Sequence, residues 1–283
     1  MVYIKQLQKI ARIGRHKISQ IQKTDVLTLY HGIKQKDEEE CYKLLLGYDL
    51  SECFYLSCTY DLTNSLNQNV LKNAKNLNKK NEGGLYRLFS SQKNIENFAE
   101  IFMWNYYACS EFNKTIQDKK WIQPILHGYI EQIVIKTTYK QFSTTIISRR
   151  CRHHAGTRFL KRGMNEEGFS ANFVETEQIL IDLESSYKKP SCSSFIQVRG
   201  SVPLYWFQNP LFTKIKPPII CFIYLYIINK KIKISKQLRS FFCCHKKNFG
   251  DLFSRYGEKI YCMDLVKSFE TSTKNNYWQK NTN

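Results

Sequence analysis

Six fixed positive charges fall within fourteen residues of this chain, at Arg149, Arg150, Arg152, Arg158, Lys161 and Arg162, with no acidic residue among them. Gly156, Gly163 and Gly168 punctuate the same stretch. The residues before it, Gln141 to Ser148, are rich in β-branched side chains and read as a strand. Those after it also alternate. Glu175 and Glu177 fall on one strand face with Val174 and Thr176 on the other, and Gln197 and Arg199 fall together, opposite Ile196 and Val198. The pattern describes a loop-rich basic surface laid between strands, suited to a multiply charged anion.

The rest of the chain mixes strands and helices. Met1 to Ile33 holds short β-prone runs separated by basic turns. Cys53 to Tyr60 alternates, with Phe54, Leu56 and Cys58 on one face. Asp61, Thr63 and Asn64 can each cap a helix starting near Ser65. A second helix is expected from Asn94 to about Phe112, burying Ile95, Phe98, Ile101, Phe102 and Tyr106. Strands return over Trp121 to Tyr139, where Pro124 and Gly128 argue for an edge or a bulge. His127, between Leu126 and Gly128, reads as a structural histidine.

A hydrophobic content of 42% over 283 residues supplies a packed core, and the net charge of +19 favours anionic partners. Lys72 to Asn81, a Lys/Asn-rich surface segment, is one place where that excess lies in scattered lysines. Nucleic acid ranks low among the anions, because no zinc-finger, RNP-like or basic-helix signature accompanies the charge. The ten cysteines include no C-x-x-C pair, which argues against a zinc ribbon and for reduced thiols in a cytosolic compartment. No metal or cofactor is implied. The longest apolar run, Ile219 to Ile228, has ten residues, short of the roughly 20 that span a bilayer.

Several strings together resemble the Sac family of phosphoinositide phosphatases: AGTRFLKRG from Ala155, ANFVETEQ from Ala171, and SFIQVRGSVPLYW from Ser194. Upstream, CFYLSCTYDLTNSL, FMWNYY and WIQPILHGYI agree in order, and downstream RYGEKIYCMDLV does so too. The resemblance implies a mixed α/β fold. Its β-rich amino-terminal subdomain would occupy residues 1–143, with first strands missing. An incomplete α/β phosphatase subdomain would follow over 144–283, and a sheet cut short in this way is expected to be parallel or mixed. An insertion is expected near 219–242, where the composition is almost entirely Ile, Tyr, Phe, Lys, Asn and Ser.

The resemblance also implies a chemistry. The family removes a phosphomonoester, such as that of phosphatidylinositol 4-phosphate, through a cysteine nucleophile in a Cys-x-x-x-x-x-Arg loop. No cysteine here has arginine six positions later; Cys151 to Arg158 and Cys192 to Arg199 each hold one residue too many. No catalytic residue is therefore assigned, and the chain as written is expected to be inactive. Arg158, Lys161, Arg162 and Arg199 are the candidates for a cationic groove that draws in an inositol phosphate headgroup at a cytosolic membrane face. Asn172, Glu175 and Glu177 lie in the most family-specific string without an assigned step. Alternatively, some of the cations pair with Glu175, Glu177 and Glu184 to hold strands and loop together. A non-catalytic module that binds phosphoinositides or a protein partner is the competing functional reading.

Overall fold

The computed structural model describes residues 2–26, 40, 43, 47, 49–75, 98–115, 123–157, 160–185, 191–208, 219–221 and 234–263. Seven strands form one sheet in the order of the chain: β1 (Val2–Ile13), β2 (His16–Val26), β3 (Phe54–Leu56), β4 (Leu126–Lys136), β5 (Gln141–Arg150), β6 (Val174–Asp182) and β7 (Cys192–Arg199). Every neighbouring pair is antiparallel. The expected parallel or mixed sheet is thus corrected. Consecutive strands lie side by side and fold back on one another, whereas parallel neighbours need a crossover. Two short strands, β8 (Trp206–Gln208) and β9 (Ile219–Cys221), pair separately. The helices include α1 (Leu66–Lys75), α2 (Tyr106–Thr115) and α3 (Ile234–Tyr256), with a 3-10 turn over Glu100–Phe102. The fold is mixed and β-rich, as expected.

Strand parity fixes which residues meet the core. Arg149 faces Glu175 and Ile147 faces Glu177 across β5 and β6, so the two carboxylates share the inner face. Ile147, Ile179 and Ile181 on that face join Ile130 of β4 and the closed end of the first hairpin, Ala11, Ile13 and Ile18. Tyr60, Leu62, Leu66, Ile101 and Phe102 complete the cluster. Gln132 on β4 secures the hairpin by accepting from Arg12 N (2.9 Å) and donating to Arg12 O (2.7 Å).

Several local expectations change. The strand from Cys53 keeps only Phe54, Tyr55 and Leu56, all three buried, and Cys58 is exposed. Rather than an edge or bulge, β4 is an interior strand between β3 and β5. Gly128 fits there because a Cβ would stand 1.8 Å from Ser148 O. His127 stacks on Phe54 at 4.7 Å and 14° as a structural histidine, its pKa lowered first by burial and then by Arg150. The helix expected from Asn94 to about Phe112 is interrupted, and α2 supplies only its last part: the 3-10 turn ends in Met103, which bridges to Leu126, and Trp104 N donates to Ile125 O (2.9 Å) before α2 starts. Tertiary pairing overrides the helical spacing. Asn94, Trp121, most of 72–84 and part of 219–242 lie outside the described residues, while 219–221 form β9 and 234–242 open α3. Among the described residues no helix is long and apolar enough to cross a membrane.

Candidate functional site

Beneath the sheet lies a buried ionic cluster centred on Arg149, which is 0% exposed. Its Nη1 donates to Glu175 Oε1 and its Nη2 to Glu177 Oε2, both at 2.6 Å. The remaining donors reach backbone: Nε to Leu62 O (2.6 Å) and Nη2 to Asn64 O (2.9 Å). Burial alone would lower the guanidinium's pKa, but Glu177 and Glu175 outweigh it and hold the pKa above its ordinary value. Glu177 Oε1 accepts from Leu66 N (2.8 Å) at the first turn of α1 and from Ser194 Oγ (2.6 Å) on β7. Tyr256, the last residue of α3, donates its hydroxyl to Glu175 Oε2. Burial first, then the Glu175 charge, pushes that phenol's pKa up.

This cluster includes two of the family-string residues. Glu175 and Glu177 both pair with the buried Arg149 guanidinium, and Glu177 also with the α1 amide, so the cation beside them is a residue outside the four groove candidates. Glu184 is exposed; its backbone N–H donates to Asp182 Oδ1 at 3.0 Å.

The basic loop leaves the sheet at the same end. Arg150 Nη2 donates to Gly156 O (3.1 Å) and Asn172 Oδ1 (3.0 Å). Asn172 sits at φ 54°, a conformation asparagine tolerates better than most residues. Its side chain also accepts from Gly156 N (3.1 Å) and donates to Lys161 O (3.4 Å), so it closes the loop's base. Arg152 pairs with Glu100 and lies over Tyr106 at 4.4 Å. His153 stacks on Phe169 at 4.0 Å and 3°, its pKa lowered first by burial and then by Arg152.

The four groove candidates divide. Arg158 lies outside the described residues. Lys161 is exposed, and Arg199 is exposed at the end of β7, opposite Val174. Arg162 donates from Nε to Gln208 Oε1 (3.1 Å), with its guanidinium 5.6 Å from the Trp206 ring. Gly163, at φ 66°, lets the loop press on the 204–206 backbone, where a Cβ would meet Leu204 O and Trp206 O at 2.6 Å. Lys161 and Arg199 therefore lie at one end of the sheet, linked through Asn172 and Val174. Arg150 joins them from the far side of Val174, because it and Arg199 both pair with that residue. That placement comes from register, which the sequence run does not display.

Cys151 and Cys192 are the two cysteines spaced nearest to the Cys-x-x-x-x-x-Arg pattern. Burial pushes the Cys151 thiol up to about 11. Cys192 and Arg199 are seven positions apart on one strand and so project from opposite faces. Among the described residues no group of three His, Cys, Asp or Glu side chains is placed to hold a metal.

An antiparallel sheet with a buried Arg–Glu cluster below it and a cationic loop at its end is the frame on which the sequence strings lie. The SacI homology domain model matches residues 1–280, and the chain belongs to that family. It is 31% identical over 276 residues to the phosphoinositide phosphatase SAC2 of Arabidopsis thaliana, covering 95% of this chain and 30% of that protein. It is 33% identical to the phosphatidylinositol-3-phosphatase SAC1 of the same plant, again over 95% of this chain and 27% of the relative. The polyphosphoinositide phosphatase of Schizosaccharomyces pombe is 33% identical over 60% of this chain and 20% of its own length. The chain thus spans under a third of the length of these curated relatives.

Proposed function

We propose that this protein takes part in phosphoinositide dephosphorylation, acting on a phosphomonoester such as that of phosphatidylinositol 4-phosphate. In this reading Lys161, Arg162 and Arg199, with Arg158 and the newly placed Arg150, bind the inositol phosphate headgroup. Membership of the SacI homology domain family over residues 1–280, with relatives named as phosphoinositide phosphatases, is the observation that carries it. The position of exposed Lys161 and Arg199 at one end of the sheet supports the assignment of the face. Lysine and arginine there supply point charge and planar donor fork respectively, the two complements of a phosphate. The protein would work peripherally, at a cytosolic membrane face. The division into an amino-terminal part, 1–143, and a phosphatase part from 144 belongs to the same reading. So does an insertion near 219–242.

A second reading is binding without turnover. It is favoured by the neutral, buried Cys151 thiol and by the opposed directions of Cys192 and Arg199. No cysteinyl-phosphate step is assigned to a residue of this chain.

One experiment tests both. Full-length chain is mixed with phosphatidylcholine vesicles with and without phosphatidylinositol 4-phosphate, and sedimentation and inorganic phosphate release are measured together. Lipid-dependent sedimentation that is lost in Lys161→Ala/Arg199→Ala supports the headgroup face. Retention in that variant, or equal sedimentation with plain vesicles, overturns it. Phosphate release decides between turnover and binding alone.

A further inference from the structure

We propose that Asn248 on α3 is a positioning residue of the cationic loop, and that Tyr256 seats α3 for this task, so that headgroup binding and α3 docking are coupled. This rests on the headgroup reading above for its ligand, though not for its geometry.

The loop from Lys161 to Asn172 is a closed excursion. Its base is fastened twice, by Asn172 Nδ2 to Lys161 O (3.4 Å) and by Ala171 N to Gly163 O (2.8 Å), and Met164 bridges to Ser170 just above. Its tip is held internally by Asn165, whose Oδ1 accepts from Phe169 N at 2.7 Å. From outside, Asn248 Nδ2 donates to Gly168 O (2.7 Å) and to Ser170 Oγ (3.1 Å). One amide of α3 therefore grips both the tip and the returning limb. Lys161 and Arg162 stand on the other limb of the same closed structure, so their placement follows the grip.

Two turns further on, α3 is anchored. Tyr256 donates to Glu175 in the buried cluster, Gln68 Nε2 donates to Arg255 O (3.4 Å), and Arg255 lies 5.6 Å from the Phe102 ring. The helix ends there, with Gly257 at φ 89° and its N–H on Phe253 O at 2.9 Å. A helix fixed at its end to the sheet transmits the sheet's position to the loop as a rigid rod of about 1.5 Å per residue. Coupling between two such sites is reciprocal: whatever factor α3 seating adds to headgroup affinity, the headgroup returns to α3 seating.

The test uses full-length wild type, Asn248→Ala and Tyr256→Phe, with myo-inositol 1,4-bisphosphate as the probe. Without ligand, the Gly168, Phe169 and Ala171 amides of Asn248→Ala should exchange hydrogen about fivefold faster, the factor for one hydrogen bond of ordinary net strength. Unchanged exchange overturns the positioning role. With ligand, both variants should bind about fivefold more weakly by calorimetry, and the probe should slow exchange in wild-type 248–256. Bisphosphate binding that leaves 248–256 untouched overturns the coupling. If wild type does not bind the bisphosphate, the headgroup reading and the coupling to it fail, while the ligand-free exchange still decides the role of Asn248. Should Tyr256→Phe fail to fold, Asn248→Ala carries both measurements, since it leaves the buried cluster whole.

Discussion

At the scale of single residues, Arg149 carries the most. Replacing it by Met leaves Glu175 and Glu177 buried without their cation, and breaking a buried pair in this way costs about 3–5 kcal/mol. Urea denaturation of Arg149→Met should show a loss of that size, whereas Arg199→Ala, at an exposed strand end, should change stability by about 0.5 kcal/mol or less. The thiols give a second test. Cys53 and Cys58 are exposed, while burial raises Cys109 and Cys151, each to about 11. Alkylation at mildly alkaline pH, followed by mass spectrometry, should label the first two and spare the second two. A raised acid pKa favours the protonated form in the fold, so this contribution is intact below the reference value of 9.0 and is lost as pH rises towards about 11. The sequence shows Glu175 and Glu177 on one face because alternation fixes parity. It does not show that Arg149, and not Arg150, turns inward beside them. Small polar residues occupy both faces of the preceding strand, leaving its parity ambiguous until β6 pairs with it.

Among the elements, the helix near Ser65 is legible and its cap is not. Asp61 instead accepts from Thr63 N (2.9 Å) and Thr63 Oγ1 (2.6 Å) in a local turn. Ser65 takes the capping role in a reciprocal box: Gln68 N donates to Ser65 Oγ and Ser65 N to Gln68 Oε1, both at 3.3 Å. Ser65→Ala should therefore cost about 1 kcal/mol. Gly128→Ala should cost more, near the top of the roughly 1–3 kcal/mol range for overpacking, because the methyl would collide with the backbone of β5, which cannot swing aside as a side chain can. Thermal melts of the two variants side by side check the order. A glycine in a strand signals either a bulge or close backbone approach, and sequence alone does not choose. The helix expected through Phe112 is interrupted for a related reason. Its apolar spacing is real, but Met103 and Trp104 find partners on the approach to β4, and those bonds are invisible in a linear pattern.

For the whole molecule, the family was legible because its strings recur in order along nearly the full chain, whereas sheet direction was not, since alternation is the same for parallel and antiparallel neighbours. The antiparallel sheet has a consequence that charge alone conceals. Its outer face presents Ile133 at 52% exposure and Phe195 at 61%, with Ile146 sharing the row of Phe195 across β6. Among the described residues, β7 is also an edge strand. Apolar faces and open edges favour association, and a net charge of +19 opposes it through long-range repulsion. Salt separates the two effects, because the screening length falls from roughly 30 Å at 0.01 M to about 10 Å at 0.1 M. Sedimentation velocity on the isolated chain should therefore show association that grows with salt, while binding to anionic vesicles should weaken over the same titration. Ile133→Gln/Phe195→Gln should suppress the first and leave the second unchanged, since the change adds no charge and neither residue belongs to the cationic loop. A monomer at all salt concentrations would show that the outer face is too dispersed to act as a surface.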